Sequence, residues 1–573
     1  MYIDRVPNRG SPPAVLLRES RREGAKTHKR TLANLSHWPA PQVAQLQRLL
    51  RGDRLVAADE VFTVERSLPH GHVEAVWQTI RQLELDTLLG SKRSRERDLV
   101  LGLIVERLLA PRSKLATTRL WRTTTLGETL GLTDVDVDEV YGALDWLLAR
   151  QPAIQRKLAA RHLHDDGVAL YDVSSSYYEG HTCPLARFGH DRDGHTGRPI
   201  IVYGVLTDGE GRPVGVDVYP GNTGDPTTVP DQVTHLRTDF GLARLVLVGD
   251  RGLLTEVQIR RLGGTPGLGW ISALRSPAIR TLIANGTLQR SLFDEQDLAE
   301  ITTPAYPGER LIACFNPLLA DERRRKREEL LQATERALTR IASSAARRTK
   351  APLDDATLGL QVGRVINHFK MAKHFQITIT HGRLAWARKT AAIAEEQLLD
   401  GIYVIRTSEP ADRLTATDAV RQYKSLSQVE RAFRCLKGLD LRVRPIYHRT
   451  DDHVRAHIFL CCLAYYVEWH LRRAWASLLF ADETLPQDRH TRPPVAPAQA
   501  SAPARQKKIT RLTPDGLAVQ SLDTLLAALA TRCEVTWRLR ADATASPIRQ
   551  WTPPTPLQAR ALALLARVHV AVP

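Results

Sequence analysis

Two apolar runs that each carry an aspartate constrain the fold of this chain more than any other feature. Residues 168–173 read Val-Ala-Leu-Tyr-Asp-Val and contain Asp172, and residues 245–252 read Leu-Val-Leu-Val-Gly-Asp-Arg-Gly and contain Asp250. Short runs rich in leucine and β-branched residues, bounded by glycine or polar residues, predict buried strands. A carboxylate in such a strand is costly to bury unless it is paired or binds a metal. The matching positions therefore predict adjacent strands that direct two acids to one hard-cation site.

The segments around these acids predict the order of the neighbouring elements. We expect strands at 200–207 and 214–219 joined by a turn at 208–211, a helix at 227–240, a helix at 255–262 and a strand at 268–274. Three meandering strands, a helix and a further strand are typical of an RNase H-like fold. The predicted class is α/β: an RNase H-like mixed sheet flanked by helices, interrupted by an insertion domain, with an N-terminal helical domain.

A chain of 573 residues is too long for one compact core, so several domains are expected. We divide it into a basic irregular arm (1–56), a helical and DNA-binding domain (57–164), the first catalytic part (165–275), an insertion domain (276–399), the second catalytic part with the third acid (400–480), a linker (481–510) and a C-terminal tail of unknown role (511–573). The short helices of 57–164 fit a helix-turn-helix DNA reader or any small helical bundle. The arm could contact DNA or be a solvated tail.

Composition indicates the kind of partner and the compartment. The net charge of +17 and pI near 9.8 favour polyanions, because each neutralised phosphate releases counterions; a solubility charge or an arginine-rich codon bias would give the same totals. The chain has neither an apolar run long enough to span a bilayer nor a signal-peptide pattern, so we expect a cytoplasmic protein without a membrane partner. The six cysteines form no Cys-x-x-Cys pair, which predicts reduced, buried thiols.

A third acid follows the predicted insertion. Tyr423, Glu430 and Lys437 are seven residues apart each time, which places them within about 20° of one helical stripe, with Arg434 four residues beyond Glu430. Two structural alternatives remain open: Ser427 and Glu430 match a capping box, and the stripe could be a solvated face. With Asp172 and Asp250, however, Glu430 could help hold two Mg²⁺ or Mn²⁺ ions for in-line attack on a phosphodiester. Lys437 and Arg434 would then hold a backbone phosphate.

These residues resemble a known family. The stretch from Tyr423 to Lys437 is similar to a Tyr-x2-Arg-x3-Glu-x6-Lys signature, with Leu426 at the arginine position. Arg431 or Arg434 could supply the missing charge, or the contact could be lost. Further similar stretches are 171–174, 221–225, 249–252 and 444–448. Together they resemble the DDE-type transposases of bacterial insertion sequences, in the superfamily with this signature (insertion sequence 4-like).

The resemblance implies a transposase that binds the terminal inverted repeats of its own element, cuts there and joins the ends to target DNA. It implies Asp172, Asp250 and Glu430 as catalytic and metal-binding residues, Mg²⁺ or Mn²⁺ as a pair of ions, and a homo-oligomer on double-stranded DNA. The implied DNA-binding residues are Tyr423, Arg434, Lys437, Arg431 and Arg251. Three alternatives stay open: an RNase H-like nuclease without strand transfer, a catalytically silent DNA-binding repressor, and structural acids in a chain whose charge is incidental.

The polar loop 189–198 has two possible interpretations. His190, Asp193, His195 and Arg198 lie in the glycine-bounded segment 189–198, between the strand of Asp172 and the next strand. They could line a DNA channel, or they could belong to an ordinary polar loop.

Overall fold

The computed structural model of the protein describes residues 1–53, 61–294, 296–348, 353–485, 488, 491–496, 499–540 and 544–568. The chain forms two compact units. The small unit contains residues 1–68 and 533–552, and the large unit contains residues 69–532 and 553–573. Both predicted strand acids and the third acid belong to the large unit.

The strands are numbered in chain order. They are β1 Tyr2–Asn8, β2 Ser11–Glu23, β3 Lys26–Asn34, β4 Phe62–Pro69, β5 Gly167–Tyr177, β6 Ile200–Asp208, β7 Pro213–Pro220, β8 Leu245–Val248, β9 Leu268–Ala273, β10 Leu298–Ile301, β11 Arg310–Phe315, β12 Phe375–Thr380, β13 Arg383–Arg388, β14 Ile402–Thr407, β15 Cys533–Leu539 and β16 Ile548–Trp551.

The large unit is built around one mixed sheet with the strand order β10-β11-β14-β9-β8-β5-β6-β7. The strands β5, β6 and β7 form an antiparallel meander. On the other side of β5, the strands β8 and β9 run parallel to it. This arrangement confirms the predicted RNase H-like mixed sheet. The predicted strands match closely, except that β5 continues to Tyr177 because it pairs with the full length of β6.

Part of the predicted insertion domain belongs to the same sheet. The strands β10 and β11 lie beyond β14, which pairs antiparallel with β9 and returns the chain to the sheet. The rest of the insertion is a separate cluster in which Leu331 and Leu338 of a long helix pack with Val362 and the hairpin β12–β13. The long helix is Pro317–Arg347, and its arginine-rich stretch Arg323–Lys326 is exposed.

Helices of the large unit pack against the sheet, among them Val137–His162 on β7 and Leu426–Lys437 on β5. The α-helices are Ala40–Leu50, Gly71–Gln82, Leu85–Leu89, Arg95–Leu109, Lys114–Leu120, Leu126–Leu130, Val137–His162, Val229–Thr234, Glu256–Gly263, Ser276–Ala284, Pro317–Arg347, Asp355–Phe369, Thr390–Gln397, Ala416–Lys424, Leu426–Lys437, Asp451–Ala474, Ala502–Thr510, Leu522–Ala530 and Pro556–Leu565. The predicted helix 227–240 is instead a 3₁₀ turn, a short α-helix and a π turn that follow one another.

The stretch predicted as a helical domain is helical from Gly71 onward, and its residues 57–60 lie outside the described residues. Its helices share one continuous hydrophobic core with the sheet. Every residue from 98 to 108 of the helix Arg95–Leu109 is buried. A helix buried on all sides has no face to offer a DNA groove, so this helix acts in the core.

The expectation that residues 1–56 form an irregular arm is wrong. The strands β1, β2 and β3 form an antiparallel sheet, followed by the helix Ala40–Leu50. Most side chains of β2 and β3 are exposed, so these strands lack the apolar alternation by which a half-buried strand is recognised. The small unit also contains the sheet β4-β15-β16.

The predictions for the linker 481–510 and the tail 511–573 are only partly correct. The interpretation of 481–510 as a linker is wrong in part, since Ala502–Thr510 is a helix. The predicted tail contains two helices, Leu522–Ala530 and Pro556–Leu565, in the large unit. Between them lie β15 and β16, which were not predicted. No helix in the described part of the chain is long and apolar enough to cross a membrane. All six cysteines are free thiols, and five are buried.

Candidate active site

Asp172 and Asp250 occupy equivalent positions on neighbouring parallel strands. In the register of β5 and β8, Leu170 faces Val248, and each aspartate follows its strand partner by two residues. Strand β8 ends at Val248, and the chain turns so that Asp250 Oδ1 accepts hydrogen bonds from the amides of Gly252 at 2.9 Å and Leu253 at 2.7 Å. The two carboxylates therefore lie at the same end of the sheet.

Glu430 reaches this region from the helix Leu426–Lys437, which packs against β5. Its buried residues Val429, Phe433 and Leu436 form the predicted core face. The helical stripe predicted through Tyr423, Glu430 and Lys437 is divided at Ser425 between the helices Ala416–Lys424 and Leu426–Lys437, and the Ser425 hydroxyl donates to the Arg421 carbonyl at 3.1 Å. Such back-bonding bends helices. The capping-box interpretation of Glu430 is wrong, because the helix already begins at Leu426.

The three acids lie close enough to one another that Asp250 and Glu430 affect the pKa of Asp172. Burial raises the pKa of Asp172 to about 7, and the negative charges of Asp250 and Glu430 act in the same direction. A hydrogen bond of 2.8 Å from the Val173 amide opposes the shift. Asp250 and Glu430 are exposed, whereas Asp172 is mostly covered. Burial likewise raises the pKa of Tyr423 to about 12, with contributions from Asp250 and Glu430, so this predicted residue lies in the same field.

Within the described residues, none of the three carboxylates forms an ion pair with a lysine, arginine or histidine. Three neighbouring acids repel one another, and the charge of Arg192, which is paired with Asp225, offsets only part of the unfavourable environment of the covered Asp172. An all-oxygen donor set of this kind suits Mg²⁺ or Mn²⁺. The residues present therefore fit the divalent ions that the family resemblance implies.

A second group of acids lies on the other side of the same helix. The ligating atoms of Cys435, Asp440 and Glu468 all lie within 4.8 Å of one another. Here a cation is already present, because Arg472 contacts Glu468 Oε1 at 2.5 Å and Asp440 Oδ2 at 2.9 Å. This group is an internal ion-pair cluster.

Lys437 is held by an acid from the loop before β6. Its amine lies 3.0 Å from Asp193 Oδ1, and the Arg444 guanidinium contacts the same oxygen. The Asp193 side chain is 1% exposed, so the loop contributes a buried anchor rather than a solvated surface. Other residues singled out in this loop contact the end of β5 and the residues that follow it: the His195 ring is 4.4 Å from the Tyr177 ring, and Arg198 pairs with Glu179.

Sequence reasoning missed Arg192 and Asp225. Arg192 forms a two-oxygen ion pair with Asp225, and its positive charge lowers the pKa of Asp172 against the effect of burial. Asp225 belongs to the stretch 221–225 that was noted for its family resemblance, but no spacing rule links it to a residue in another loop. An Asp-Arg-Asp sequence inside a glycine-bounded loop was the available signal.

The remaining predicted DNA-binding residues do not all lie together. The charge of Arg251 acts on Tyr423, so Arg251 lies near the acids. Arg434 is exposed on the last turns of the Glu430 helix. Arg431 lines a cavity of about 1210 Å³ with Gln428 and Trp469, and none of the three acids lines this cavity. Leu426 stands partly buried against the core at the start of the helix.

Comparison with known proteins identifies the class. Residues 165–467 match the family model described as Transposase DDE domain, and residues 3–60 match the model described as IS1634 family transposase, N-terminal domain. The chain belongs to the DDE transposase family. No curated protein matches its sequence. A solved structure similar to it is the cryo-EM structure of the piggyBac transposase synaptic complex with hairpin DNA, with a TM-score of 0.33 and 9% identity over 80% of this chain and 77% of that chain.

Proposed function

We propose that this transposase binds the terminal inverted repeats of its own insertion sequence and catalyses end cleavage and strand transfer through Asp172, Asp250 and Glu430. The observation that carries the proposal is the convergence of three carboxylates, from two parallel strands and one helix, without an ion-pair partner in the described part of the chain. The family match to residues 165–467 supports transposition as the activity.

Asp172, Asp250 and Glu430 would hold two divalent ions, Mg²⁺ or Mn²⁺. Such ions, when bound, supply activation of a water or 3′-hydroxyl and stabilisation of the leaving oxygen. The amides of Gly252 and Leu253 fix the Asp250 carboxylate, and the Val173 amide fixes that of Asp172, so that their oxygens are oriented before the ions arrive.

The basic residues near the acids are assigned to DNA binding and not to metal binding. Lys437 and Arg434 lie on the last two turns of the Glu430 helix, and Arg251 follows Asp250 directly. We assign them, with Tyr423, to the DNA backbone beside the scissile bond, where charge-assisted hydrogen bonds orient the phosphate. Arg431 has the same role in our assignment only if DNA also reaches the cavity that it lines. The net charge of +17 favours double-stranded DNA as the partner, at element ends and at targets, with a homo-oligomer joining two ends.

The test uses purified protein, labelled DNA carrying the inverted repeats that flank the gene, and Mg²⁺ or Mn²⁺. Glu430→Gln removes the third acid, and Glu395→Gln makes the same change at an exposed helical acid outside the site. We expect cuts at the repeat ends and joined products from the wild type and Glu395→Gln. Glu430→Gln is expected to bind the DNA without cutting it.

Other outcomes select the alternatives. Cutting without joined products would identify an RNase H-like nuclease. Binding without cutting by any of the three proteins would identify a silent repressor. Failure of all three to bind DNA would contradict the argument from charge.

A further inference from the structure

We propose that Asp193 is a positioning residue that holds Lys437 and Arg444 in place for a DNA phosphate. The inference rests on the proposed function, because it takes Lys437 to be a phosphate contact. It adds a residue from the loop 189–198, which lies outside the acids and the helical signature.

The geometry is that of a buried hub. Asp193 Oδ1 contacts the Lys437 amine at 3.0 Å and the Arg444 guanidinium, and Asp193 Oδ2 accepts from the Tyr177 amide at 3.3 Å. The Asp193 amide donates to Asp191 Oδ1 at 2.7 Å, which fixes the loop itself. One carboxylate thus connects the end of β5, the end of the Glu430 helix and the segment after that helix.

One of the two cations also contacts the backbone of the other. Arg444 Nε donates to the Lys437 carbonyl at 3.2 Å, at the last residue of the helix that carries Glu430. Lys437, Arg444 and Asp193 therefore form a closed triangle, which fixes where this helix ends relative to β5. A shift of the helix end would displace Lys437 and also Glu430, two turns earlier.

The charges leave capacity for a ligand. One carboxylate faces two cations, so the triangle keeps a positive charge. The Arg444 side chain is 28% exposed, whereas that of Asp193 is 1% exposed. Burial lowers the pKa of Lys437, and Asp193 opposes this effect and so favours the charged amine that a phosphate requires.

The experiment compares Asp193→Asn with Asp400→Asn. Asp400 forms an equally covered ion pair with Arg327 in the same unit, where the side chains are 12% and 7% exposed, so both variants lose a comparable pair. DNA affinity and the single-turnover cleavage rate at saturating DNA are measured for each. We expect Asp193→Asn to slow cleavage about 10- to 100-fold with affinity changed less than about threefold, since small misplacements of positioned groups cost rate. Asp400→Asn is expected to cleave at the wild-type rate.

A double substitution separates positioning from general damage. If Asp193 acts through Lys437, then Asp193→Asn added to Lys437→Met slows cleavage much less than it slows the wild type. Equal slowing in both backgrounds would overturn the proposal. Should Asp193→Asn fail to fold, Arg444→Gln, which removes the more exposed partner, must slow cleavage by itself; an unchanged rate would overturn the proposal equally.

A labelling measurement does not depend on cleavage. Lys437 is reacted with a water-soluble acylating reagent, and its modification is quantified by mass spectrometry in the wild type and in Asp193→Asn. Faster labelling in the variant supports the anchoring of Lys437, and equal labelling refutes it. A wild type that cuts no DNA while Asp193→Asn still changes the labelling would count against the proposed function and leave the anchoring intact.

Discussion

The two acid clusters on either side of the Glu430 helix differ in one respect that decides their chemistry. Asp172, Asp250 and Glu430 have no cation partner among the described residues, and two of them are exposed. Asp440 and Glu468 share Arg472, and the Glu468 side chain is fully buried. Close spacing of acids alone does not indicate a metal site, since the tighter cluster is the one that already contains its cation.

The presence or absence of an ion-pair partner distinguishes acids that are already neutralised from acids that can bind a cationic ligand. Buried charges are paired, and an unpaired carboxylate shifts its pKa. Burial raises the pKa of Asp172 to about 7 and also raises that of Glu468, but of these two acids only Glu468 forms an ion pair with an arginine. Asp172 thus has an unfavourable environment that a divalent ion would relieve. The following predictions test whether this distinction is real.

The largest effect is expected for activity. Asp250→Asn should slow end cleavage by about 10³-fold or more, because catalytic groups that act as a unit fail together. Asp440→Asn, the same change in the paired cluster, should stay within about threefold of the wild type. Rates are measured on labelled element-end DNA at saturating protein. Equal losses of cleavage rate in Asp250→Asn and Asp440→Asn would show that the two clusters do not differ in function.

The largest effect on stability is expected at the paired cluster. Arg472→Met leaves Glu468 buried without its cation and should lower the free energy of unfolding by about 3–5 kcal/mol. Arg434→Met changes an exposed arginine on the neighbouring helix and should lie within about 0.5 kcal/mol of the wild type. Urea unfolding of both variants gives the comparison. A small effect of Arg472→Met would mean that Glu468 is neutral in the folded protein.

At the unpaired cluster, removing an acid should stabilise the fold. Because the pKa of Asp172 is raised from 3.8 to about 7, its ionisation costs stability as the pH rises through this range, and Asp172→Asn avoids that cost. Without divalent ions at pH 8, Asp172→Asn should melt a few degrees above the wild type, and the gap should narrow at pH 6. Saturating Mn²⁺ should raise the melting temperature of the wild type only. A variant that melts lower at pH 8 would contradict this account.

The smallest effect is expected where a histidine is the cation between two acids, because a rise in pH removes the charge of the histidine and leaves the acids unpaired. His235 contacts Asp217 at 3.2 Å and Asp239 at 2.5 Å, and the hydrogen bond to Asp217 raises the pKa of His235 from 6.5 to about 9. A raised folded-state pKa contributes stability that is fully present below pH 6.5 and is lost as the pH rises through 9. Unfolding free energies at pH 6 and pH 9.5 should differ more for the wild type than for His235→Gln. Identical pH profiles would show that the acids do not hold the charged imidazole.

The sequence predicted the elements with strong local patterns. The strands β5, β6, β7, β8 and β9 are rich in apolar residues, with a few polar ones such as Asp217 in β7, so their existence and order follow from residue type. The seven-residue spacing placed Tyr423, Glu430 and Lys437 on one helical stripe, but the break at Ser425 has no comparable signal in the sequence. The exposed strands β2 and β3 and the short strand β16 carry no apolar pattern of this kind, whereas β15 alternates apolar and polar residues over Cys533–Leu539 and was recognisable as a strand.

The site was predictable only where each residue carried its own signal. Asp172 and Asp250 stand in apolar strands, where a charge is conspicuous. Asp193 and Arg192 stand among polar loop residues, and their partners Lys437 and Asp225 lie in other segments. Such pairings are set by the tertiary fold, which periodicity does not encode. The pairing of Arg472 with Asp440 and Glu468 could not be predicted from the sequence for the same reason.

The position of β14 has a consequence for biosynthesis. Asp250 and Glu430 are 180 residues apart, and the intervening chain must add β10, β11 and β14 to the sheet before the Glu430 helix reaches β5. At a synthesis rate of 5–20 residues per second, this takes about 10–40 s. Throughout that interval the nascent chain carries both strand acids and lacks the third. A polypeptide released early would therefore contain the strands β5 to β9 without Glu430, and under the proposed function it would be an inactive fragment.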